Sequence, residues 1–302
     1  MGLIMIEDSA IAVIEASGPR RRECGGEGEI VRLILDVFGE PVDVVIGVKD
    51  ERVRLADIVP LAREVSTKIT DKVNEMVRFK GAGIPCGKGC SACCNYLVPL
   101  AIPEVFRLRE EVFALPLVRQ LLIEQGCLSA ARLILGEQPP ALFGKPASSG
   151  AADSAAELLN TASNWYADFK LTCPFLYKHT CTIYEERPLA CREYWVTGSS
   201  GACSGGGGEP EGVCLPVRMS EVLGRLASKL EGRDVEGLIM PLALVWADEN
   251  PQRDERTWPA PLMVERFIEI IREAVPKSRV EIPACVRGKL TETAGKMPAT
   301  QS

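Results

Sequence analysis

The chain runs to 302 residues, enough for one large domain or two ordinary ones with ample apolar material for a core. Its composition, 46% hydrophobic and 25% charged with a mean hydropathy of +0.06, is that of a soluble globular protein, and no stretch approaches the apolar length that spans a bilayer. A net charge of −6 and a pI near 5.2 work against broad attraction to phosphate backbones, so neither nucleic acid nor a membrane is an expected partner.

The opening, MGLIMIEDSAIAVIEASG, lacks a basic leader region and carries Glu7 and Asp8 inside its apolar run, so the expected location is the cytoplasm. Arg20, Arg21 and Arg22 form the one dense basic run and read as a solvated loop. Two runs rich in β-branched residues flank Gly-Glu-Pro within residues 29–48, which reads as a hairpin. A helix is expected next, capped by Asp57, with Ile58, Leu61, Val65, Ile69, Val73 and Met76 on one apolar stripe. Gly81, Gly83 and Pro85 then end it.

Two further helices are expected in IPEVFRLREEVFAL and PLVRQLLIEQGCLSAARLIL, with Pro103 and Pro116 near their starts. Cys127 falls within the second and reads as a buried core residue. Residues 136–150 have linker composition, and a helix is expected over about 151–170. TGSSGACSGGGGEPEG is a loop by composition. Three later segments, SEVLGRLASKLEG, VEGLIMPLALVWADE and APLMVERFIEIIREAV, carry helical spacing, and the last dozen residues read as a polar tail. No internal repeat is present. The expected fold is mainly α with a small β hairpin (α+β) and irregular cysteine-rich segments. Its expected divisions are an N-terminal hairpin and helix (1–80), a cysteine-rich domain (81–215) and a C-terminal helical region with a polar tail (216–302).

Twelve cysteines stand out in a chain of expected cytoplasmic location, where structural disulfides are disfavoured; metal ligation is the leading explanation. Seven fall in two windows: Cys86, Cys90, Cys93 and Cys94 in the first, Cys173, Cys181 and Cys191 in the second. Cys24, Cys127, Cys203, Cys214 and Cys285 are scattered. Thiolates suit zinc and iron–sulfur clusters, and four of them complete a tetrahedral zinc site or a common cluster. Cys86, Cys90 and Cys93, spaced C-x3-C-x2-C, also resemble the cluster motif of radical S-adenosylmethionine enzymes. The helical run that follows, Ala92 before Cys93 and the extra Cys94 all argue against that family. Side chains of the adjacent pair Cys93 and Cys94 diverge, so the two are expected to serve different irons or different sites.

Together, CGKGCSACC, CPFL and CTIYEERPLACREY resemble the YkgJ-type cysteine-cluster proteins, a zinc- or iron-chelating family, over about residues 80–205. The resemblance implies metal binding at Cys86, Cys90, Cys93, Cys94, Cys173, Cys181 and Cys191. Cys203 stands where similar proteins can carry another cysteine, making eight candidate ligands and, with them, two possible four-thiolate sites. Flagellin lysine N-methylases use a comparable cluster, which raises a metal-dependent protein-modifying enzyme as one alternative and a structural zinc protein as another. The leading expectation is an iron–sulfur cluster, 4Fe–4S in type, serving electron transfer or an oxidoreductase reaction with a protein partner or electron donor.

Around the ligands, Lys88, Lys178, Arg187 and Arg192 are placed to offset thiolate charge, or else to face solvent. His179, the single histidine, reads as a turn residue, and Cys214 as an accessory ligand at most. Tyr184 and Glu185 could pack or hydrogen-bond behind the site. Trp165, Tyr166, Tyr194 and Trp195 read as its apolar shell or as ordinary core. No residue is assigned a catalytic role.

Overall fold

The computed structural model describes residues 9–14, 28–137, 152–199, 201–204 and 210–281. Cys24, Cys285, the Arg20–Arg22 run, most of the linker and the polar tail lie outside these residues.

A short strand, β1 (Ile11–Ile14), precedes the expected hairpin of β2 (Gly28–Val37) and β3 (Glu40–Lys49). The hairpin is in register from Gly28 opposite Lys49 to Val37 opposite Glu40. Its turn is Phe38–Gly39, both at positive φ (54° and 95°), a geometry whose twist matches that of the strands. Alternation does the rest: Leu33, Leu35 and Val37 on β2, and Val44, Ile46 and Val48 on β3, are all buried on one face.

After β4 (Arg52–Arg54), a 3-10 turn over Leu55–Ile58 leads into α1 (Val59–Phe79). Asp57 does not cap α1. It lies inside the turn, where its carboxylate accepts the Arg54 amide at 2.7 Å, and Pro60 occupies the first helical turn. Leu61, Val65, Ile69 and Val73 are buried as the stripe requires, whereas Met76 is half-buried.

β5 (Pro99–Ala101) leads into α2 (Ile102–Phe113), α3 (Leu117–Gly136) and α4 (Ala152–Asp168). Cys127 on α3 is buried in the core, as expected. The second cysteine window forms a small hairpin, β6 (Leu176–Tyr177) and β7 (Thr180–Cys181), then a short helix, α5 (Leu189–Glu193). β8 (Val196–Thr197) pairs with β9 (Glu211–Gly212), and α6 (Met219–Glu231) ends at Gly232, whose φ of 67° favours glycine.

The helix expected across VEGLIMPLALVWADE is corrected by the structure. β10 (Gly237–Ile239) pairs antiparallel with β5, residues Met240–Leu242 make a 3-10 turn, and only α7 (Ala243–Glu249) is helical. Pro241 explains the break, since it lacks an N–H to continue a helix running in from the preceding residues and is accommodated only in a first turn, where it now lies. α8 (Pro251–Asp254), β11 (Thr257–Pro259), α9 (Ala260–Ala274) and β12 (Arg279–Glu281) complete the described chain. β11 pairs with β4, and β12 joins the hairpin to give an antiparallel sheet of order β1-β3-β2-β12.

The protein is therefore mainly α with small antiparallel sheets. Leu33 and Ile46 of the sheet, Val65 and Ile69 of α1, Phe106 of α2, Leu223 of α6 and Phe267 of α9 belong to one continuous hydrophobic cluster. Cys173, Cys181 and Cys191 are half-buried against its edge, which places the second cysteine window on a rigid support.

Candidate metal centre

The first window spans the connection from α1 to β5. Gly89, at φ 95°, lets the chain turn so that the Cys90 amide donates to the Gly87 carbonyl at 3.0 Å. Cys93 and Cys94 sit in a 3-10 turn over Ala92–Asn95. The loop is tied to β8 from both sides: the Gly198 amide donates to the Gly83 carbonyl at 3.1 Å, and the Val196 amide donates to the Cys86 sulfur. Cys203 arrives on a second 3-10 turn, Ala202–Ser204, which packs on the Ala92–Asn95 turn, and Tyr96 donates its hydroxyl to the Cys203 carbonyl at 2.6 Å.

The second window is joined directly to the first, because the Cys173 amide donates to the Cys94 carbonyl at 2.8 Å. The β6–β7 hairpin reverses through Lys178 and His179, both left-handed (φ 48° and 61°). Thr182 donates both its amide and its hydroxyl to the Phe175 carbonyl, at 2.9 Å each, folding Cys181 back toward Cys173.

Two buried carboxylates hold α5, and sequence reasoning missed both. Glu104 accepts the Leu189 amide (2.7 Å) and the Ala101 amide (3.2 Å), joining the start of α5 to that of α2. Burial pushes its carboxyl up to about 7, against the two amides that favour the charged form. Glu193 accepts the Met219 amide (2.6 Å) and the Ser66 and Ser220 hydroxyls (3.2 and 2.9 Å), joining the end of α5 to α6 and α1. Its carboxyl is also raised by burial. Cys191 lies between these anchors. The signal for Glu104 was its place in the first turn after Ile-Pro; for Glu193 there was none beyond its closeness to Cys191.

The eight sequence-nominated thiols share one electrostatic neighbourhood. Cys93 interacts with Cys86, Cys94, Cys173, Cys181, Cys191 and Cys203, while Cys90 interacts with Cys86 and Cys203. Hydrogen bonding from Cys94, aided by Arg187, holds Cys93 below the usual thiol range, and Cys94 is correspondingly raised. Burial pushes Cys173 up to about 12 and also raises Cys86, Cys181, Cys191 and Cys203, with neighbouring thiols adding to the shift.

Of the four cations, Arg187 is the one whose charge lowers Cys93, Cys181 and Cys191. Its guanidinium stacks 3.7 Å from the centre of the Tyr184 ring and its Nε donates to the Tyr184 carbonyl at 2.9 Å. Lys88 pairs with Glu185 at 3.2 Å, Lys178 lies over Tyr177, and Arg192 donates to the Arg187 carbonyl at 3.0 Å. His179 is an exposed turn residue and Cys214 is exposed.

Among the aromatics, Tyr194 packs edge-on against Tyr96, and both rings lie near Cys93 and Cys203. Tyr166 is buried beside Cys173 and Cys127, while Trp165 packs edge-on against Phe169. The Trp195 indole donates to the Arg192 carbonyl.

Among the described residues, no group of three or more His, Cys, Asp or Glu side chains is drawn together tightly enough to hold a metal ion as it stands. The donor chemistry nonetheless fits a thiophilic metal: the donors are all sulfur, they come from loops tied together by backbone hydrogen bonds, and one of them has a depressed pKa. No helix among the described residues is long and apolar enough to cross a membrane. Residues 85–202 match the CxxCxxCC family, described as a putative zinc- or iron-chelating domain. No curated protein and no solved structure matches the chain.

Proposed function

We propose that the thiols of residues 85–202, the stretch that matches the zinc- or iron-chelating CxxCxxCC family, hold an iron–sulfur cluster of the four-iron type. The role in this reading is electron transfer or an oxidoreductase reaction in the cytoplasm, with a protein partner as electron donor. The observation that carries it is the size of the thiol constellation. One structural zinc takes four thiolates, whereas eight cysteines here lie on loops that the Cys173–Cys94, Gly198–Gly83 and Tyr96–Cys203 hydrogen bonds tie together. When bound, such a cluster supplies one-electron transfer. The chain's own part is to gather the thiols, offset their charge with Arg187, and hold Cys191 rigidly between Glu104 and Glu193.

Structural zinc is the second reading, favoured by one feature: Cys173, Cys181 and Cys191 rest on the hydrophobic core, a setting that suits a redox-silent staple. Anaerobic purification followed by iron, acid-labile sulfide and zinc analysis, with a visible spectrum before and after dithionite, separates the two. Iron with sulfide and a bleachable spectrum is the expected result. A colourless protein with stoichiometric zinc and no sulfide would overturn the cluster. Cys90→Ser and Cys181→Ser should each lose metal in either case.

A further inference from the structure

We infer that the protein pairs with a second copy of itself through α3, the two helices lying antiparallel about a two-fold axis at Leu128. The inference goes beyond the metal-binding reading and holds whichever metal the thiols take.

α3 already has a core face. Ile123, Cys127 and Ile134 are buried in the hydrophobic cluster, and Gly126 lies so close to Pro174, the residue after Cys173, that a Cβ there would come within 3.3 Å of the proline ring. A second side of the same helix is apolar and bare. Leu117, Leu121, Leu128 and Leu135 form a stripe at spacings of four and seven and are 37–71% exposed; Val118, Leu122 and Leu133, at 55–71%, widen it along one border. A surface helix has one apolar side, and a helix apolar all round is normally covered. Single exposed apolar residues are ordinary, whereas a stripe along a whole helix marks an interaction surface.

Two features fit a second copy as the occupant. Leucines that recur every seventh residue, as Leu121, Leu128 and Leu135 do, make the seam by which one helix packs along another. The charges that border the stripe are also self-complementary. Glu124 and Arg132 stand four positions before and after Leu128, on opposite borders of the stripe. Glu124 accepts from Gln120 at 2.8 Å and meets no cation, and Arg132 has no ion pair, among the described residues. In an antiparallel pair centred on Leu128, positions equally far before and after it stand opposite one another. Leu121 then faces the partner's Leu135, Leu128 faces its own copy, and Glu124 faces the partner's Arg132. A parallel pair would set Glu124 beside its own copy in the seam, whereas reversal separates the two glutamates by about 12 Å along the axis. The interface is isologous, so each contact occurs twice and the assembly closes at two chains. Because another side of α3 rests on Pro174, the paired helices form the wall between the second cysteine windows of the two copies.

The test is sedimentation of the full-length protein, purified anaerobically, from nanomolar to high micromolar concentration. It compares wild type, Leu128→Glu, Glu124→Arg, Arg132→Glu and the double variant that combines the last two. The wild type should be a dimer. Leu128→Glu sets two like charges face to face on the axis and should leave a monomer with wild-type metal content and helical circular dichroism. Each single charge variant should weaken association by about tenfold, and the double variant, which exchanges the two charges, should return to wild-type affinity. A wild type that is monomeric throughout the range overturns the pairing, as does a dimer that Leu128→Glu leaves intact. Failure of the double variant to recover overturns the antiparallel register, and this charge exchange decides the matter even where Leu128→Glu fails to fold.

Discussion

Glu104 shows how far one side chain governs the candidate centre from a distance. Its carboxyl is raised from its ordinary value of 4.5 to about 7, so the folded protein holds a proton that the unfolded chain releases between those values. The sign follows from linkage: this contribution to stability is complete below about pH 4.5 and is lost as pH rises through about 7. Glu104→Gln should flatten that part of the stability profile. It should also destabilise the fold by about 1–3 kcal/mol, because the amide oxygen can accept from only one of Ala101 and Leu189 while the –NH2 faces the other. Thermal melts across the window check both effects; an unchanged slope would show that Glu104 is not the titrating group. In the sequence, Glu104 was visible only as an acid near a helix start. Its partner Leu189 lies 85 positions away, a separation across which no local pattern operates.

At the scale of elements, the β6–β7 hairpin is the part of the site that carries backbone strain. Lys178 and His179 both occupy left-handed backbone, which costs non-glycine residues about 1–2 kcal/mol each. The double substitution Lys178→Asn with His179→Gly supplies the residues this turn favours and should raise stability by about 1–2 kcal/mol with metal content unchanged. Melting temperature and metal analysis read the two expectations together, and loss of metal would give one of these side chains a role in the site. The β2–β3 hairpin and the α1 stripe were legible because each has a regular period over many residues. β1 and β12 are too short to show one and are strands only because the hairpin edges pair with them. At Met240–Leu242 the helical spacing of apolar residues was real, but Pro241 and pairing with β5 outweighed it.

For the whole molecule, the main division is between a core and a set of loops. Described residues from all three expected divisions contribute to one hydrophobic cluster, and Cys173, Cys181 and Cys191 lie at its margin. Removing metal should therefore lower the melting temperature, since metal stabilises the folded form to which it binds, yet leave the helical far-UV circular dichroism largely intact. Collapse of that signal on chelation would show that the core depends on the centre. The cysteines were legible as candidate ligands because sulfur-rich loops have few other uses in a chain of this size. The bond that joins their two windows was not, since Cys94 and Cys173 lie far apart in sequence. One bond described above sets the shape of the loops. The amide of Cys173 meets the carbonyl of Cys94 across the whole excursion through α2, α3 and α4, so that long loop leaves and returns at one point and the two cysteine windows are fastened to each other by the backbone itself.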